Sequence, residues 1–328
     1  MKVYDITLKP NNAKLTCYIQ DKSPEMVTAD VRPAMLVFPG GGYFNCSDRE
    51  AEPVALAYLS DGYNAFVLRY SVGPDVPWER SFEDGVAAVK YVRENAAQLN
   101  IDPQKLAVVG FSAGGHLAAC MGTVSEEKPN AMVLGYPVIL DEFGSPVGKV
   151  IASADKHVTA QTPPSFIFAT SDDSLVPIRN SLTFAQALAA EDIFFEMHIY
   201  PMGEHGFSLA KAAHANGNPG VVNKDAENWF RDSIRFLHHA FGDFPLNGKE
   251  QPGDLPDYSH PDLDTPVRYI VKRPACTEAI DSVLPGISGM LKTNIMAQGL
   301  SFRQLAAYSP DIFTSELLAA LECALKEY

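Results

Sequence analysis

Gly110-Phe111-Ser112-Ala113-Gly114 is the stretch on which the reading of this chain turns. Residues 105–109 form a short apolar run bounded by Pro103 and Gly110, and residues 113–121 are small, apolar and compatible with a helix. A G-x-S-x-G pentapeptide at a strand-to-helix junction predicts a nucleophile elbow, a tight turn that points the serine hydroxyl into open space. Its glycines lack the Cβ that would obstruct close backbone packing. Ser112 is therefore the expected nucleophile.

Two apolar runs further along the chain also end in reactive side chains. Residues 166–169 lead into Ser171-Asp172-Asp173-Ser174-Leu175-Val176-Pro177, and residues 194–200 lead into Met202-Gly203-Glu204-His205-Gly206-Phe207. An acid and a glycine-flanked histidine, each just past a strand, are the partners a serine nucleophile needs. His205 would take the proton, and Asp173 would hold the imidazole tautomer and stabilise the imidazolium, with Asp172 as the rival acid. The chain order Ser, Asp, His is that of α/β-hydrolases and differs from the chymotrypsin-like and subtilisin-like orders. In the other direction, Pro39-Gly40-Gly41-Gly42-Tyr43 follows the apolar run 34–38. Its bare backbone predicts N–H donors for an oxyanion from Gly41 and Gly42, acting together with Ala113.

Strand patterns at 34–38, 65–70, 105–109, 131–136, 166–169 and 194–200 alternate with helix patterns at 48–60, 82–99, 113–122, 180–190 and 224–241. This is an α/β pattern: a mostly parallel, doubly wound sheet covered on both faces, with stretches 3–8 and 14–19 as an antiparallel hairpin at its edge. Ser47 and Glu50 have capping-box spacing. Arg69 and Asp84 have two equal readings: a pair beneath the site that orients the loop after the 65–70 strand, or separate solvent-exposed ions. His116, one helical turn after Ser112, is expected to be packed and hydrogen-bonded. Residues 137–165 are expected to build part of the pocket wall, and Tyr43 and Trp78 are candidate aromatic platforms for a sugar ring or acyl group.

Proline and glycine accumulate after Phe244, which predicts a catalytic α/β domain over 1–244, a linker over 245–275 and a small helical appendage over 276–328. Helix patterns fall at 277–284, 288–297, 301–308 and 314–328. Three roles stay open for the appendage: covering an apolar patch, contacting a second copy in a homo-oligomer, or shaping one wall of the site.

With 328 residues, 46% of them hydrophobic, the chain has ample material for a large core. Its 40 acidic and 26 basic residues leave a formal charge of −14, which disfavours nucleic acid and anionic membrane as partners and is indifferent to a small neutral ester. The N-terminal residues carry no apolar leader pattern and no run reaches the length of a membrane span, so a cytoplasmic location is expected. Five cysteines without paired spacing read as reduced thiols, and the histidines show no metal-ligand spacing.

Phe38-Pro39-Gly40-Gly41-Gly42-Tyr43, Arg49-Glu50-Ala51-Glu52-Pro53-Val54-Ala55, Gly110 to Leu117, Thr162-Pro163-Pro164-Ser165-Phe166, Asp173 to Pro177, and His198-Ile199-Tyr200-Pro201 through His205-Gly206-Phe207 resemble, in this order, bacterial acetylxylan-esterase-like α/β-hydrolases. The resemblance covers residues 34–242. Pro39 stands where the wider lipase and esterase group has the histidine of its H-G-G-G loop. The resemblance implies a serine esterase that removes acetyl or other small acyl groups from carbohydrate esters of the xylo-oligosaccharide kind, through an acyl-enzyme and with no metal or organic cofactor. A prolyl-oligopeptidase-like serine peptidase and a hydrolase-like binding protein without turnover are the alternatives.

Overall fold

The structure is a computed structural model describing residues 1–328. Eight strands, β1 Lys2–Leu8, β2 Ala13–Ile19, β3 Arg32–Phe38, β4 Asn64–Arg69, β5 Ile101–Phe111, β6 Ala131–Gly135, β7 Ser165–Thr170 and β8 Phe195–Tyr200, form one sheet in the order β1-β2-β4-β3-β5-β6-β7-β8. β1 pairs antiparallel with β2 and β2 with β4, while all pairs from β4 to β8 are parallel. The first hairpin thus caps one edge of an α/β-hydrolase sheet.

Strand alternation divides the apolar residues between two cores. Leu36, Phe38, Leu106, Val108, Met132, Leu134 and Ile167 belong to one, and Met35, Val37, Ala107, Val109, Val133, Phe166 and Phe168 to the other. Six helices cover these faces: α1 Glu52–Ser60, α2 Trp78–Glu94, α3 Ala96–Leu99, α4 Ala113–Thr123, α5 Arg179–Ala190 and α6 Trp229–Phe241. α2, α4 and α5 contribute Val89, Leu117, Met121, Phe184 and Leu188 to the first core. α1 and α6 contribute Val54, Tyr58, Trp229 and Leu237 to the second, where Trp229 stacks on Phe168 at 4.3 Å between ring centroids. Burying each such side chain contributes about 1.5–3 kcal/mol, which is why continuous apolar strands settle in the middle of the sheet.

The element ends depart from the sequence pattern for local reasons. Tyr136, expected as the last residue of a strand, has φ 35°, outside the extended region, so β6 stops at Gly135. Asn100 at φ 54° ends α3. The capping box expected from Ser47 and Glu50 does not form: Ser47 makes no side-chain cap, Asp48–Glu50 is a single 3₁₀ turn, and α1 begins at Glu52.

The chain divides into two compact units, Met1–Asp254 and Leu255–Tyr328. The stretch expected to be a linker, 245–275, holds ordered elements. In the first unit β9 Asp243–Leu246 and β10 Lys249–Gln251 pair antiparallel across Asn247 and Gly248, both at positive φ, the conformation a two-residue hairpin demands. The second unit contains α7 Val267–Val271, α8 Pro274–Val283, α9 Ile287–Thr293, α10 Ile295–Gln298, α11 Phe302–Tyr308 and α12 Ser315–Leu325. Pro274 starts α8 rather than interrupting a linker, since proline suits a first helical turn. Val267, Ile270, Ile280, Leu291, Phe302 and Leu321 form a core of the unit's own, and Ser301 with Gln304 forms a reciprocal capping box. Among the described residues, no helix is long and apolar enough to cross a membrane.

Candidate active site

Ser112 occupies the single residue between β5 and α4, at φ 53° and ψ −118°. A non-glycine residue there stores on the order of 1–3 kcal/mol of strain, so its surroundings must hold it in place. They do so through the backbone: Ser112 N–H donates to Gly135 O at 3.0 Å, and its carbonyl accepts from His116 and Val138 N–H at 3.0 and 3.1 Å. The two glycines of the pentapeptide are sterically required. A Cβ at Gly110 would strike the carbonyl of Gly114, and one at Gly114 would strike the carbonyls of Phe38 and Pro39.

The loops after β7 and β8 bring the acid and the base to this serine. His205 Nε2 lies 2.8 Å from Ser112 Oγ and His205 Nδ1 lies 2.6 Å from Asp173 Oδ2. Asp173 has a fully buried side chain, and its other oxygen accepts from Leu175 and Val176 N–H, each at 2.9 Å. An ionised carboxylate only accepts, so Nδ1 carries the ring proton and Nε2 is left to accept from the serine hydroxyl. Asp172 points elsewhere: its Oδ1 accepts from Gly203 N–H at 2.9 Å. The turn after β7 thus sends the two adjacent acids to different partners.

Gly41, Gly42 and Ala113 line a cavity of about 550 Å³ together with Ser112 and His205. Ala113 opens α4, where first-turn N–H groups have no intrahelical acceptor and the helix dipole is positive. The glycine loop is held from several sides. Tyr70 O–H donates to Pro39 O at 2.6 Å, Phe44 and Asn45 N–H donate to Gly41 O at 3.0 and 3.2 Å, and Gly41 sits at φ 136°. Val138, Phe143, Pro146 and Ile151 from the segment after β6, with Leu175 and Val176, make the apolar wall.

The two aromatic candidates part company. Tyr43 lines the cavity, but it is 2% exposed and its hydroxyl is bonded to His116 Nδ1 at 2.7 Å, so it presents ring rather than phenol. Trp78 does not line the cavity; it is buried at the start of α2, edge-on to His116 and tilted against Phe82. His116 is fully buried, with Nε2 donating to Ala152 O at 2.8 Å, so its Nδ1 accepts from Tyr43. That burial lowers the imidazole from 6.5 to about 4. Arg69 and Asp84 do not pair. Arg69 donates to Asp48 Oδ1 at 2.6 Å and to Cys46 O at 2.8 Å, and Asp84 Oδ2 accepts from Ser71 N–H at 2.7 Å.

Sequence patterning did not single out Glu50 and Tyr136 as parts of the site. Glu50 is 3% exposed; one carboxylate oxygen accepts from Gly40 N–H at 2.8 Å and the other from Tyr136 O–H at 2.6 Å. Tyr136 in turn accepts from Ser208 N–H at 2.9 Å and sets its ring 4.9 Å from that of His205. One buried carboxylate therefore ties the glycine loop to the histidine loop. Its sequence signal was an acid in a segment that packs inward, which read as a helix cap. Among the described residues, no group of three His, Cys, Asp or Glu side chains is placed to hold a metal ion.

Comparison with known proteins bears on the fold and the family. Residues 22–143 match the family BD-FAE and residues 148–241 the prolyl oligopeptidase family. The chain is 32% identical to an acetylxylan esterase of Xylanibacter ruminicola, a match covering 54% of this chain and 41% of that one. It spans between 34% and 41% of the length of the curated relatives that head the comparison. Among solved structures, an α/β-hydrolase enzyme from a Medee basin deep-sea metagenome library is 43% identical with a TM-score of 0.69, over 73% of this chain and 98% of that one. An acetyl ester-xyloside bifunctional hydrolase from Caldicellulosiruptor lactoaceticus is 37% identical with a TM-score of 0.58, over 70% and 90%. On sheet order, elbow and these likenesses together, the chain belongs to the acetylxylan-esterase-like α/β-hydrolase family.

Proposed function

We propose that this protein is a serine carboxylic-ester hydrolase that removes acetyl or similarly small acyl groups from carbohydrate esters. The observation carrying the reading is the unbroken hydrogen-bonded series from Asp173 through His205 to Ser112, opening into a cavity rimmed by glycine backbone. Ser112 Oγ attacks the ester carbonyl while His205 Nε2 takes its proton, and Asp173 stabilises the imidazolium. Backbone N–H groups of Gly41, Gly42 and Ala113 receive the oxyanion; one such donor is typically worth about 10²–10³ in rate. His205 then protonates the departing alcohol, and afterwards activates the water that cleaves the acyl-enzyme.

The substrate class is supported by the names of the acetylxylan esterase and the acetyl ester-xyloside hydrolase that the chain resembles. The test is hydrolysis of 4-nitrophenyl acetate by the native chain and by Ser112→Ala, with circular dichroism to check the fold. Loss of turnover in a folded Ser112→Ala protein is expected, and substantial residual activity would refute the assignment. A second reading, a peptidase, draws on the match of residues 148–241 to the prolyl oligopeptidase family. A panel pairing acetylated xylo-oligosaccharides with amino-acyl amides separates the two, since faster amide cleavage would favour the peptidase.

A further inference from the structure

Arg49 stands in the same cavity as Ser112 and His205, and the catalytic steps above do not use it. Its main chain is fixed, because its carbonyl accepts from Ser208 Oγ at 2.5 Å. Its half-buried guanidinium lies over Gly206, where a Cβ would stand 3.4 Å from Nη2. Among the described residues, no carboxylate or carbonyl partners that guanidinium. The neighbouring acids are already taken: Asp48 by Arg69, and Glu50 by Gly40 and Tyr136. A permanently charged fork of N–H donors beside a reacting serine is matched by a carboxylate.

The position decides which end of the substrate carries that carboxylate. Gly206 adjoins His205, whose Nε2 hands its proton to the leaving oxygen, and this adjacency favours the alcohol portion as the part of a substrate that meets the guanidinium. Asn45 and Ser47, from the same segment as Arg49, add polar groups to the cavity, whereas Val138, Phe143 and Ile151 give it an apolar wall suited to an acyl group. We propose that Arg49 is a specificity-determining residue that binds a carboxylate on the alcohol portion, so that the site favours acyl esters of hydroxy acids and acidic sugars over neutral ones. The inference rests on the ester-hydrolase reading. The net charge of −14 does not oppose it at close range, because at physiological salt charges more than about 8 Å away are screened.

The experiment compares kcat/KM for 4-acetoxybenzoate and 4-acetoxybenzamide, which differ by the charge on the leaving group, in the native chain, Arg49→Gln and Arg49→Lys. It also measures calorimetric binding of both compounds to Ser112→Ala, with and without Arg49→Gln. The native chain is expected to favour the anion by about ten-fold, the scale of one half-exposed charge-assisted pair, and the preference should shrink with added salt. Arg49→Gln should bring the ratio to about one and Arg49→Lys should leave it between, because an ammonium lacks the planar fork. Monoethyl succinate against ethyl butyrate, with the charge on the acyl side, should show no such preference. A ratio unchanged in Arg49→Gln, or a preference confined to the acyl-side anion, overturns the proposal while leaving ester hydrolysis standing. If the native chain cleaves none of these esters yet Ser112→Ala binds 4-acetoxybenzoate more tightly than the amide through Arg49, the anion site stands and the hydrolase reading fails.

Discussion

Replacing His116 by glutamine tests how the wall of the site responds to acid. In the folded chain the imidazole is fully buried beneath Tyr43 and Trp78 and is lowered to about 4 by that burial, against 6.5 for a free histidine. Between those values the unfolded chain binds a proton that the folded one refuses, so stability is full above 6.5 and is lost as pH falls toward 4. Each pH unit below 6.5 removes ~1.4 kcal/mol from this source, so about 2 kcal/mol is gone by pH 5 and roughly 3 kcal/mol in all. Glutamine can donate to Ala152 O and accept from Tyr43 O–H but cannot titrate, so His116→Gln should lack this slope. Guanidinium unfolding of both proteins at pH 7.5, 6 and 5 reads the difference directly. Other groups contribute equally to both curves and cancel. Parallel loss of stability in the two proteins would refute the reasoning, and would mean that His116 accepts its proton without leaving the fold.

Asp173→Asn should lower kcat by orders of magnitude, because an amide cannot hold His205 in its tautomer, while Asp172→Asn should be mild; steady-state kinetics on 4-nitrophenyl acetate would exchange the roles if the effects were reversed. Glu50→Gln should cost about 1–3 kcal/mol in urea unfolding, because its amide nitrogen must face either Gly40 N–H or Tyr136 O–H. The same variant should lower kcat more than it changes KM; loss of stability with kcat intact would make Glu50 a packing residue alone. Gly114→Ala should cost more than ~3 kcal/mol or prevent folding, because its Cβ meets backbone carbonyls of β3 and the following loop. Gly148→Ala, at φ 67° with open space around it, should cost only about 1 kcal/mol by thermal denaturation.

The parts of the site that were legible are those whose signal is local. Ser112 is announced by glycines whose missing side chains the elbow requires, and Asp173 and His205 by apolar runs that stop at the sheet edge. Helix signals were weaker guides. Ser47 and Glu50 have capping-box spacing, yet the carboxylate is drawn inward to partners on other segments, one of them 86 residues away. Trp78 read as a platform because an aromatic side chain advertises burial without saying what it is buried against.

Strand alternation, turn glycines and chain order therefore determined the α/β-hydrolase sheet and narrowed its candidate triad to Ser112, His205 and one of two adjacent acids, since those are properties of consecutive residues. Only the tertiary structure decided between Asp172 and Asp173, removed Trp78 from the cavity, and assembled Glu50, Tyr136, Arg49 and Gly206 around it. Those pairings depend on which loops the crossovers bring to one edge of the sheet, and no window of sequence contains the distances that set them.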